Sequence, residues 1–196
     1  MSTSASPSTR GRSVLLAAVL VVALVVGVGG YVGWRALHPG RGTFPTVASD
    51  LTPRQRSILT VARTEWEHPG PATKYSNGIE ENWCADFVSW VLRRAGYPMS
   101  NPNSGSWRIP GVLTLQSYLT KAGRFRAVGD GYTPRPGDIV IYDGGGFGQH
   151  TNLVVAVRGD TVATVGGNQS VGMARSGITV RESPLDGAGV VGYGVA

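Results

Sequence analysis

Asn82-Trp83-Cys84-Ala85-Asp86-Phe87-Val88-Ser89-Trp90-Val91-Leu92-Arg93-Arg94-Ala95-Gly96-Tyr97-Pro98 reads as a helix with a polar start and a defined stop. Asn82 is the N-cap candidate, and Trp83-Cys84-Ala85 makes the first turn. Phe87, Val88, Val91, Leu92 and Ala95 recur at helical spacing. Gly96 ends the run and Pro98 follows it, the usual stop pattern. Cys84 is the only cysteine in 196 residues, so no intramolecular disulfide can form. Its place in the first turn puts the thiol where unpaired backbone N–H groups and the helix dipole favour a thiolate. It also lies on the apolar stripe, which suits an inert buried thiol equally well.

Upstream of this helix, Thr52-Pro53-Arg54-Gln55 carries a Thr-x-x-Gln capping box with proline at the first helical position. Ile58, Leu59, Ala62 and Trp66 then form one apolar stripe, and His68-Pro69-Gly70-Pro71 stops it. Downstream, a third helix fits Val112 to Ala122, with Leu115 and Leu119 inward and Gly123 as terminator. Beyond it the period changes from helix to strand. Ile139 to Tyr142, Thr151 to Val157, Thr161 to Val165, Ile178 to Arg181 and Val190 to Val195 are β-rich, and Arg158-Gly159-Asp160 is a hairpin signal. Helices first and strands second predict an α+β fold, with the helices packed on an antiparallel β-sheet.

The amino-terminal part has a different character. Residues 1–12 are Ser/Thr-rich and hold Arg10 and Arg12. Residues 13–34 are apolar and, as a helix, long enough to span about 30 Å of hydrocarbon. They are expected to be an uncleaved transmembrane anchor, preceded by a cytoplasmic tail. A cleaved signal and a secreted domain are the alternative. Residues 35–50, with Pro39, Gly40, Gly42 and Pro45, read as a linker, leaving 51–196 as the extracytoplasmic domain. All 12 acidic residues and 16 of the 18 basic residues lie from Arg35 onward, so this part is near +4. The charges are scattered and no nucleic-acid motif is present, so nucleic acid is excluded as a partner.

Of three histidines, His38 falls in the linker and His68 at a helix end, whereas His150 opens a strand directly after the Gly-rich loop 143–148. A three-residue loop at 158–160 sets His150 opposite Asn168 on the next strand. A two-residue loop sets Thr151 there instead. Either register brings the Asn168 amide near the imidazole. Cys84, His150 and Asn168 are therefore the candidate nucleophile, base and orienting group of a Cys–His catalyst.

The segment Asn82 to Val91 resembles the nucleophile helix of the CHAP family, the cysteine, histidine-dependent amidohydrolases/peptidases of the papain-like group. Pro136-Gly137-Asp138-Ile139-Val140 is similar to the strand before its histidine. Gln149-His150-Thr151-Asn152-Leu153-Val154 is similar to its histidine strand, and Gly166-Gly167-Asn168 to its polar third position. The likeness covers about Thr52 to Ala196. It implies a papain-like CHAP fold and peptidoglycan cleavage, by an endopeptidase or an N-acetylmuramoyl-L-alanine amidase. The alternatives are a protein-processing cysteine peptidase and a decayed wall-binding or divisome scaffold. An unidentified envelope regulator is a further expected partner. Some members carry an acidic residue two positions before the asparagine, where this chain has Gly166. Some bind calcium, but Asn77, Glu80, Glu81 and Asp86 lack the alternating spacing of a calcium loop, so neither metal nor cofactor is expected. Trp83 and Trp107 are candidates to wall a groove, although plain packing accounts for either.

Overall fold

A computed structural model describes residues 40–144, 148–171 and 175–196. The expected anchor, its tail and His38 lie outside these residues. Among the described residues, no helix is long and apolar enough to cross a membrane.

Four helices precede or flank the sheet: α1 (Pro53–Glu67), α2 (Ala72–Tyr75), α3 (Cys84–Arg94) and α4 (Val112–Lys121). Helix α1 begins with the expected capping box, in which the Thr52 hydroxyl accepts from the Gln55 N–H and the Gln55 side chain accepts from the Thr52 N–H. Helix α3 starts one residue later than expected. Trp83 is its N-cap and Cys84 its first residue, and no side chain caps it. It stops where Gly96 takes a positive φ of 90°, which lets the Tyr97 N–H reach back to the Leu92 carbonyl. The short helix α2, unmarked by any periodicity, holds Tyr75, which stacks on Trp83 at 5.1 Å and meets Phe87 and Trp90 edge-on. This aromatic group fixes the chain where α3 begins.

The strands are β1 (Phe125–Ala127), β2 (Ile139–Asp143), β3 (Gln149–Arg158), β4 (Thr161–Val171), β5 (Arg175–Pro184) and β6 (Val190–Gly194). They form one antiparallel sheet in the order β1-β6-β2-β3-β4-β5. The expected α+β class is therefore observed. Alternation along β2 and β3 sends Ile139, Ile141 and Leu153 to the face on which the helices pack. Leu119 of α4 lies against Gly194, the cross-strand partner of Ile139. The opposite face buries Val140, Val154, Val162 and Tyr193, with Tyr142, Leu185 and Val190 at the margin. Both faces of Ile139–Ile141 in β2 and Leu153–Val155 in β3 are thus buried, and these stretches read as apolar runs rather than alternating ones.

The stretch expected as a linker, 35–50, is docked from Gly40 onward. Arg41 is buried; its Nε donates to the Ile178 carbonyl and its Nη2 to the Trp66 carbonyl. Its own carbonyl accepts from the Trp66 indole and the Val180 N–H. Phe44 packs its ring on Trp66 at 5.6 Å. Gly42, at φ 71°, runs so close to β5 that a Cβ there would stand 2.3 Å from the Val180 carbonyl oxygen. The folded unit therefore starts near Gly40 rather than at 51. A proline- and glycine-rich composition hid this, because the segment is held by backbone acceptors and not by a periodic apolar face.

Candidate active site

The hairpin between β3 and β4 sets where His150 and Asn168 lie relative to each other. Its turn is the two-residue Gly159-Asp160, with Arg158 opposite Thr161. A bulge between Val154 and Ala156 then shifts the register by one, so that Leu153 faces Val165. From there toward His150, the pairing is the one the three-residue loop would have produced. A second irregularity, between Gly166 and Gln169 on β4, holds Asn168 at a positive φ of 57°. Asparagine tolerates this left-handed conformation better than most residues. The neighbouring Gly167 faces α3, where a Cβ would stand 2.2 Å from Trp83. The bulge thus lets β4 press against the start of the cysteine helix.

Cys84 is buried, at the first position of α3. Burial pushes its thiol above the ordinary 9.0, and Asp86 pushes the same way. The backbone N–H groups of Thr151, Ala85 and Cys84 at the sulfur act against them. The contact with Thr151 matters most for geometry, because Thr151 follows His150. The cysteine helix therefore meets β3 next to the histidine. The structure does not bring the thiol and the imidazole into contact: Thr151, paired with Ile141, points to the face on which α3 packs, whereas His150, paired with Tyr142, points with Asn152 to the opposite face of the sheet.

His150 is half-buried and faces Tyr142 across the β2–β3 pair. Its Nε2 lies 2.9 Å from Asn152 Oδ1, two residues along the same face of β3. Burial pulls the imidazole below its ordinary 6.5; the Asn152 contact opposes this, and the positive charge of Arg181 adds to it. Asn168, the orienting group expected from sequence, instead donates its Nδ2 to Asn82 Oδ1 at 3.2 Å. It thereby ties the β4 bulge to the segment just before Cys84. Asn168 still shares with His150 and Asn152 a cleft of about 380 Å³, whose other walls include Gln169, Arg181 and Ser183. A larger hollow of about 680 Å³ lies elsewhere, between residues 46–52 and Arg158, and contains neither the cysteine nor a histidine.

Asn152, Gln169 and Arg181 were not singled out from the sequence. The signal was present in the period of two, which puts residue 152 on the same face as residue 150. The candidate groove walls divide. Trp83 is buried under Tyr75, whereas Trp107 is half-buried and carries the Arg93 guanidinium 4.6 Å from its ring. Neither lines the cleft around His150.

The family model described as CHAP domain matches residues 74–168, from α2 to the bulge on β4. Comparison with curated proteins finds no match, and neither does comparison with solved structures. The matched span contains the cysteine helix, the Pro-Gly-Asp turn into β2 and the histidine strand. CHAP domains are papain-like amidohydrolases and peptidases dependent on cysteine and histidine, and residues 74–168 of this chain are similar to them.

Proposed function

We propose that the chain is a peptidoglycan hydrolase of the cell envelope, an endopeptidase or N-acetylmuramoyl-L-alanine amidase, with Cys84 as nucleophile and His150 as base. The observation that carries this reading is the junction of α3 and β3. There the only thiol stands at a helix start, against the backbone of the residue that follows the histidine.

The reaction is acyl transfer. His150 takes the Cys84 proton and sulfur attacks the amide carbonyl, forming a tetrahedral oxyanion. The Cys84 backbone N–H at the start of α3 has no intrahelical acceptor, and in this reading it holds that charge. Collapse breaks the C–N bond, and the imidazolium returns its proton to the leaving amine. Water then attacks the thioester carbonyl, with the same imidazole as base, and restores the thiol. Both groups are shifted toward their neutral forms.

The apolar run at 13–34 supports attachment to the membrane with the domain outside the cytoplasm. A tether would concentrate the domain on nearby wall without a separate binding module. The test is to incubate the full-length protein with purified peptidoglycan and identify released fragments by mass spectrometry. New amino termini within the peptides indicate an endopeptidase, and free stem peptides with intact lactyl groups an amidase. Release of nothing by wild type beyond Cys84→Ala, while a denatured protein is cut, would replace this reading with a protein-processing peptidase.

A further inference from the structure

A neutral imidazole carries one ring proton, and only its other nitrogen can act as a base. The fold contains a chain of side chains that decides which nitrogen that is. His150 Nε2 contacts Asn152 Oδ1 at 2.9 Å. The same Oδ1 accepts from Gln169 Nε2 at 2.8 Å, and Gln169 Oε1 accepts from Arg181 Nε at 2.6 Å. The remaining contacts leave the direction open. Thr164 Oγ1 on Asn152 Nδ2 and Thr179 Oγ1 on Gln169 Oε1 are hydroxyls, which donate or accept as needed.

Arginine has no such freedom. A guanidinium only donates, so the amide atom facing it must be oxygen. With Gln169 Oε1 fixed on Arg181, Gln169 presents its NH₂ to Asn152. Asn152 must then present its carbonyl oxygen, and that oxygen also faces His150. An oxygen there requires a proton on Nε2, which leaves Nδ1 as the free lone pair. We infer that Arg181 sets the tautomer of His150 through Gln169 and Asn152, and that these three are positioning residues for the base. The inference rests on His150 being the base of the proposed reaction.

The placement of the relay agrees with such a role. Asn152 and Gln169 are buried, so water does not compete for their amides. Gln169 reaches Asn152 because the irregularity between Gly166 and Gln169 returns residue 169 to the face of residues 150 and 152. Gly166 leaves room, since a Cβ there would stand 2.6 Å from Gln169 Nε2 and closer still to Asn152. Arg181 is held in turn by its Nη2 on the Ser170 carbonyl.

The experiment is NMR of the His150 ring nitrogens in full-length protein, assigned by difference from His150→Ala, with peptidoglycan hydrolysis measured in parallel. Wild type should show the Nε2–H tautomer. Gln169→Glu is nearly isosteric but can only accept toward Asn152. It should turn the Asn152 amide over, convert His150 to the Nδ1–H tautomer, and lower hydrolysis by about 10²–10⁴-fold, the scale of a general-base contribution. Arg181→Met should give a mixture of tautomers, whereas Arg181→Lys, still a donor, should keep Nε2–H. Retention of a pure Nε2–H signal in both Gln169→Glu and Arg181→Met would overturn the relay. Because the tautomer is read without substrate, absence of hydrolysis in wild type would count against the proposed reaction and leave the relay to be judged on the ring signals.

Discussion

Asn152 fills the space that a side chain on Gly166 would need: a Cβ at residue 166 would stand 1.6 Å from Asn152 Oδ1 and 2.5 Å from its Cγ. The two positions are therefore exclusive. Where the CHAP resemblance leads one to look for an acidic residue, this chain has a notch, and an amide from the histidine's own strand enters it. The oxygen that faces the imidazole arrives from residue i+2 and not from the neighbouring strand.

Gly166→Ala should expel Asn152 from the notch and detach it from His150. Hydrolysis should fall by about 10–100-fold, the scale of losing an orienting partner, with the protein still folded by circular dichroism. The double variant Asn152→Gly/Gly166→Glu returns the acceptor to β4 as a carboxylate. A negative charge beside the ring favours the imidazolium, so the acidic limb of the rate–pH profile should move to higher pH. An unchanged rate in Gly166→Ala would mean that Asn152 does not orient the base.

The shifts at Cys84 and His150 make a second expectation. The thiol lies above 9.0 and the imidazole below 6.5. The resting pair is therefore neutral across the interval between them. Thiolate ultraviolet absorbance, measured against Cys84→Ala, should be absent at neutral pH and appear only above 9.0. Activity should rise as the pair loses its first proton below 6.5 and fall as it loses its second, both limbs belonging to the coupled pair. Thiolate absorbance at neutral pH would establish a preformed ion pair instead.

Much of this fold could be read directly from the chain. The capping box of α1, the stop at Gly96 and the change of period after Gly123 each rest on local chemistry, and each is present in the structure. The β3–β4 register was harder, because two loop lengths were open and the strand uses both, switching at a bulge that no residue type announces. Asn168 shows the same limit. Its position on β4 followed from counting, but its positive φ turns the amide toward Asn82. Arg41 and Phe44 escaped for a different reason: their burial depends on carbonyls and a ring brought from distant segments.

Replacing the nucleophile gives the most direct check on chemistry. Cys84→Ser exchanges the thiol for a hydroxyl that is far less ionised near neutral pH, at a site where burial already disfavours the anion. Peptidoglycan hydrolysis should drop to the Cys84→Ala level, with little change in melting temperature. The same substitution should remove labelling by a thiol electrophile, and His150→Ala should slow labelling of the intact thiol. Hydrolysis by Cys84→Ser at the wild-type rate would exclude the thiol as nucleophile.

The start of the cysteine helix also depends on a buried charge. Asp86 is fully buried in the first turn of α3, and burial pushes its carboxyl up to about 7. Arg108 supplies the counter-charge: its Nε lies 2.6 Å from Asp86 Oδ1, and its Nη2 pairs with Glu81. A carboxyl raised above its unfolded value, about 3.9, binds its proton more tightly in the folded state. Its contribution to stability is then complete below the unfolded value and is lost as pH rises through about 7. Arg108→Gln removes the group that favours the anion, so the loss should extend to higher pH and grow. Near pH 8 the variant should be destabilised by about 3–5 kcal/mol, the cost of stranding one member of a buried pair. Near pH 5 Asp86 is protonated in the folded variant, and the cost should shrink to about 1–2 kcal/mol, that of a lost hydrogen bond. Urea unfolding at the two pH values measures both figures. Adding Asp86→Asn should abolish the difference, because no ionisable group then remains at residue 86. A destabilisation equal at both pH values in Arg108→Gln would show that the Asp86 charge is not what Arg108 holds in place.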